Sequence, residues 1–144
     1  MTLDHADIER CVPHAGSMVL LNAVLHWDAT HIVCSAAAPD AGHPLARDGA
    51  VRAVTAAEYA AQAVAVHGAL LEHQAAPRLA MLAKLSNVEL HSACIPTDRG
   101  PLAVRAELLS RAAAGCLYDF EVACARQPVA TGRLLLAFAA PPGR

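Results

Sequence analysis

The chain has 144 residues, 56% of them apolar, 17% charged and 3% aromatic, with a net charge of −2. That length suits one domain, 1–144, with a core that needs no staples. The lack of a basic cluster and of stacking aromatics argues against nucleic-acid binding, and no charge-free apolar run reaches membrane-spanning length.

Leu3 to Val12 reads as a short helix capped by Thr2 or Asp4 and ended at Pro13. Pro13 to Ser17 is a turn, and Met18 to Trp27 is an apolar run of strand length. Asp28-Ala29 turns the chain into a second, antiparallel strand, Thr30 to Ala38. Pro, Asp and Gly punctuate an irregular loop from Pro39 to Gly49. A long helix follows, from about Arg52 to His73. Four strands then fill Arg78 to Leu90, Leu102 to Ala112, Cys116 to Arg126 and Val129 to Ala139, with turns at Pro96–Pro101, Ala114-Gly115 and Gln127-Pro128. Alternation in Val104–Leu108 and Tyr118–Val122 fits a sheet with one solvated face. One long helix with about six antiparallel strands is an α+β layout. The helix is apolar on so many sides that the sheet must curl round it.

Within that helix, Ala56 to Leu71 is interrupted only by Glu58, Gln62 and His67. Thr55, Glu58 and Gln62 fall on one face by their three- and four-residue spacing. An acid inside an apolar helix must be paired, protonated or employed, which makes Glu58 the first candidate for chemistry. His67 reads as a core histidine and Gln62 as a group that satisfies buried polar neighbours. The five cysteines are odd in number and lack Cys-x-x-Cys spacing, so they read as reduced thiols in the cytoplasm, with Cys34, Cys116 and Cys124 filling the core. No His/Cys set has metal-ligand spacing. The Met1–Arg10 segment lacks the basic and apolar stretches of a signal peptide. The apolar excess implies burial against a second subunit.

Three patches resemble the 3-hydroxyacyl-[acyl-carrier-protein] dehydratases of the hotdog fold, and within them the dehydratase-like proteins of aryl polyene pigment clusters. Val12-Pro13-His14 leading into Met18–Val24 is similar to their opening. His43-Pro44-Leu45 stands where they have a His-Phe-Pro loop, and Glu58-Tyr59-Ala60-Ala61-Gln62 resembles their Glu-x-x-Ala-Gln motif. The resemblance implies a hotdog fold and a homodimer, or a heteromer with another hotdog protein. It implies dehydration of a 3-hydroxyacyl thioester on acyl carrier protein to the trans-2-enoyl product, with no cofactor. It carries His43 over as the base and Glu58 as the acid, with backbone N–H groups at the helix start polarising the thioester. Tyr59, Ala57, Ala61 and Gln62 are the implied substrate-binding residues. Arg47, Arg52 or Arg78 would meet an acidic carrier protein. Two alternatives stay open: an acyl thioesterase on the same fold, and a non-catalytic partner subunit of a dehydratase.

Overall fold

A computed structural model of the chain describes residues 2–12, 16–72 and 80–138. Residues 13–15 of the expected Pro13–Ser17 turn, residues 73–79 and the tail from 139 lie outside them. Helix α1 is His5–Glu9, opened by a capping box in which Asp4 and Asp7 exchange side-chain and backbone bonds. The strands are β1 (Ala23–Trp27), β2 (His31–Ala36), β3 (Ala80–Leu90), β4 (Leu102–Ala112), β5 (Gly115–Cys124) and β6 (Gln127–Phe138). The long helix α2, Ala56–Glu72, follows a 3-10 turn at Ala53–Thr55.

All six strands form one antiparallel sheet in the order β1-β2-β4-β5-β6-β3. Its concave face packs against α2 through β2, β4, β5 and β6. The alternation read in the sequence divides the strands accordingly. Ile32, Cys34, Val104, Ala106, Tyr118, Phe120, Val122 and Leu134 point inward and are buried. The outward rows carry charge: His31, Glu107, Asp119 and Arg133 are register partners across four strands. His31 Nε2 lies 3.1 Å from Glu107 and Arg133 Nε 2.8 Å from Asp119. Gly132 sits opposite Phe120 because a Cβ there would meet the ring at 2.8 Å.

Three sequence expectations need correction. Met18–Leu21 is not strand: a 3-10 turn, Gly16–Met18, precedes a buried segment whose Leu20 N–H and Met18 carbonyl both bond the Gln62 side chain, at 2.9 and 2.6 Å. Gln127-Pro128 is not a turn but the start of β6. The chain reverses at Ala125-Arg126, both with positive φ (49° and 66°). Gly115 is likewise the first residue of β5.

The two sheet edges are finished differently. Beside β1, Leu3 exchanges backbone bonds with Val24 and α1 packs alongside. Beyond β3 nothing pairs among the described residues, and Met81 (71% exposed), Leu82, Val88 and Leu90 stand in solvent. Helix α2 is not fully wrapped either. Val54 and Glu58 are exposed, and Ala61, Ala65 and Gly68 continue the same stripe half-buried. The helix is apolar enough for complete enclosure, yet the described residues cover only part of it.

Candidate active site

The loop between β2 and α2 is held at both ends. Asn22 accepts the Ala37 N–H at 2.6 Å, and Asp40 accepts those of Gly42 (2.9 Å, side chain) and His43 (3.0 Å, backbone). Arg47 and Ala50 close a tight turn in which Asp48 and Gly49 take positive φ, 52° and 77°. Val51 and Ala53 then bond the 93–95 segment, which anchors the helix start. Ala53 N–H goes to Ala93 and Thr55 N–H to Arg52, so these two amides already have acceptors within the subunit.

This loop lays His43 against the first turn of α2. Its Nε2 is 2.9 Å from the Tyr59 hydroxyl, and the two rings stack with centroids 6.0 Å apart. On the other side of the ring, the Leu45 backbone N–H donates to Nδ1 at 3.0 Å. A backbone N–H only donates, so Nδ1 is the acceptor and a neutral His43 carries its proton on Nε2. Burial lowers the His43 pKa, partly opposed by the Asp40 charge. Burial also pushes the Tyr59 phenol up to about 12.

The remaining sequence candidates separate by helix face. Glu58, the residue before Tyr59, is exposed, which corrects the expectation of a buried acid: it lies on the stripe that this subunit leaves open. Ala57 and Ala61 are half-buried at the margin of that stripe. Gln62 is wholly buried, and both ends of its amide hold the Met18–Leu20 segment. His67 is buried as expected, between the Tyr118 hydroxyl at 2.6 Å and the Asp28 carbonyl at 2.7 Å. The contact that sequence reading missed is His43 with Tyr59. The two are 16 residues apart across an irregular loop, and no periodicity links them.

Two surface hollows lie apart from these residues. One, of about 310 Å³, covers the charged outer rows around Arg105 and Glu121; another, of about 470 Å³, is lined by His91, Arg99, Cys124 and Gln127. Neither is lined by His43 or Glu58. Among the described residues no cluster of His, Cys, Asp or Glu could hold a metal ion, and no helix is long and apolar enough to cross a membrane.

The model of the ApeP-like family, described as ApeP dehydratase, matches residues 6–140. The chain belongs to the ApeP-like dehydratases. Its hotdog fold is shared with solved structures. One is the dehydratase heterocomplex ApeI:P from Xenorhabdus doucetiae, at TM-score 0.82 and 24% identity over 93% of this chain and 91% of that one. A second is AziG from S. sahachiroi, at TM-score 0.66 and 16% identity over 92% and 100%. A third is a mutant thioesterase from Staphylococcus aureus, at TM-score 0.62 and 14% identity over 81% and 92%. A search of curated proteins gave no match. The matched range includes the loop and the helix that carry His43 and Glu58.

Proposed function

We propose that this ApeP-like protein dehydrates 3-hydroxyacyl thioesters carried on acyl carrier protein, giving trans-2-enoyl thioesters in fatty-acid or polyene pigment biosynthesis, with His43 and Glu58 as its catalytic pair. The observation that carries this reading is the docking of the His43 loop on Tyr59. It brings an imidazole to the helical turn that also bears the carboxylate. Elimination of water removes a proton from C2 and a hydroxyl from C3, so it needs a proton acceptor and hydrogen-bond donors at the two oxygens. The thioester itself acidifies the C2 proton, so the reaction calls for no cofactor. Ala57 and Ala61, with Tyr59 and Gln62 behind them, would form the wall along which the acyl chain lies.

The same reading assigns a second hotdog subunit, either another copy or a different hotdog protein. The solved relative named as a heterocomplex supports this, and so do two uncovered surfaces: the β3 edge and the stripe Val54, Glu58, Ala61, Ala65 and Gly68. Edge strands recruit strands, and small residues admit close helix approach. A partner on that stripe would supply the missing wall beside Glu58. Arg47 and Arg52, exposed near the site, offer charge to an acidic carrier protein, whereas Arg78 lies outside the described residues. The five free thiols suit the cytoplasm.

Mass spectrometry of a 3-hydroxyacyl carrier protein, incubated with this chain alone and with a candidate hotdog partner, tests the proposal. Loss of water that disappears in His43→Ala and Glu58→Gln supports it. Loss of the acyl group instead identifies a thioesterase. An unchanged substrate under both conditions refutes it.

A further inference from the structure

We infer that the hollow of about 470 Å³, between the β3–β4 connection and the β5–β6 reversal, binds a phosphate group borne on a small organic molecule, with Arg99 as the charged partner and His91 and Gln127 as polar ones. The inference goes beyond the dehydration reading and does not rest on it. Two stretches of chain make the walls. One is the connection 91–101, which leaves β3 after Leu90 and enters β4 at Leu102; the other is the start of β6 after the Ala125-Arg126 reversal. They are fastened to each other. The His91 N–H donates to the Val129 carbonyl at 2.9 Å, and the Cys124 thiol lies 3.7 and 3.6 Å from the carbonyls of Arg99 and Gly100. Ser92 Oγ donates to the Cys94 carbonyl at 2.8 Å, which stiffens the connection itself. Buried Cys124 and Val129 form the floor, and exposed His91, Arg99 and Gln127 stand round it. A bonded frame of this kind has little order left to lose on binding. Its volume falls within the roughly 300–1,000 Å³ of small-molecule sites.

The charge of the lining selects the ligand. No Asp or Glu lines this hollow, whereas Glu107, Asp119 and Glu121 all line the one of about 310 Å³ on the outer face, against Arg105 and His31. An anion is repelled there and accepted here. Two acids flank the larger hollow without lining it. Glu89, 74% exposed at its side chain, lies 3.9 Å from His91 Nε2, and exposed Asp98 precedes Arg99. Arg126, exposed beside Gln127, offsets them. Among anions, phosphate matches the set. A guanidinium is a planar fork of N–H donors that fits two phosphate oxygens. The Gln127 amide and the His91 ring bring N–H donors for the remaining ones, and the volume leaves room for an organic group. The connection also holds the start of α2, through Ala53 N–H to the Ala93 carbonyl at 3.0 Å and Ile95 N–H to the Val51 carbonyl at 2.9 Å. A ligand on His91 and Arg99 thus sits on the segment that anchors that helix.

Titration of the nitrogen-15-labelled chain with inorganic phosphate, AMP and adenosine tests the site. Phosphate and AMP should shift the backbone amide signals of residues 91–100 and of Gln127, and adenosine should leave them in place. Arg99→Gln should weaken AMP binding about tenfold, the loss of one charge-assisted partner. Arg105→Gln, in the other hollow, should stay within about twofold of wild type. The amide spectrum of each variant shows that it is folded. No shift at millimolar phosphate or AMP, an equal response to adenosine, an Arg99→Gln protein that binds as wild type, or equal losses in both variants overturns the inference. A further arm identifies the source of the phosphate. Tighter binding of 4′-phosphopantetheine than of AMP assigns it to the arm of a carrier protein, and the reverse order assigns it to a free phosphate monoester; both uphold the site. Binding is read on this chain whether or not it dehydrates a substrate, so failure here and failure of the functional reading are separate results.

Discussion

Two histidine–tyrosine pairs border α2, and they are wired in opposite directions. At the far end of the helix His67 donates from Nε2 to the Asp28 carbonyl and accepts from the Tyr118 hydroxyl, with the rings edge to face. That proton path ends on a backbone oxygen, and every donor in it has an acceptor. At the near end His43 accepts from a backbone amide and donates to Tyr59, with the rings stacked. The same two side chains thus make a closed network that holds β1 and β2 to the helix and a second one that docks the loop between β2 and α2 on the helix start. Burial and residue type do not separate them. The backbone group at the outer nitrogen does.

That contrast can be broken by substitution. His43→Ala should cut dehydration by 100-fold or more, about 2.7 kcal/mol of barrier, while urea unfolding shifts by under about 1 kcal/mol. His67→Ala should do the reverse. It strands the Asp28 carbonyl and the Tyr118 hydroxyl in the core, and urea titration should show a loss of about 3 kcal/mol. A third change tests whether the closed side is also tightly packed: Gly132→Ala drives a methyl into the Phe120 ring and should cost about 1–3 kcal/mol in the same assay.

Acid should loosen both pairs. Burial, the main cause in each case, holds both imidazoles below their ordinary value; Asp40 opposes this at His43, and the Asp28 carbonyl and charge oppose it at His67. The unfolded chain therefore binds protons that the folded one refuses. Their contribution is fully present above about pH 6.5 and is lost as pH falls towards the folded values. A stability–pH curve that is flat below that point would contradict this, and His67→Gln should reduce its slope. Smallest of all, Asp4→Ala should cost about 0.5–1 kcal/mol, because it removes the cap of a five-residue surface helix.

Much of this was legible in the sequence, and what was not has identifiable causes. The order of elements followed from periodicity, and the burial of His67 followed from its apolar neighbours. Glu58 misled for a specific reason. A helix face left open to solvent has the same alanine-rich composition as one covered by the sheet, so composition alone cannot say which face is covered. Met18–Leu21 resembled a strand because it is apolar and extended, yet its backbone bonds go to Gln62, which is 42 and 44 residues away from the atoms it holds. The β5–β6 reversal hid because Pro128 looked like the turn, while Ala125 and Arg126 adopt the left-handed region without glycine or asparagine. The His43–Tyr59 contact depends on how an irregular loop folds back, which no local pattern encodes.

The unfinished β3 edge has a consequence for how the protein is made. A ribosome that releases this chain by itself releases a sheet whose described residues end in Met81, Leu82, Val88 and Leu90, with no strand paired beyond them. Such an edge recruits any strand within reach, including those of half-folded copies. Yield of soluble protein should therefore depend on how soon that edge is covered, and synthesis alongside the proposed hotdog partner should raise it over synthesis alone.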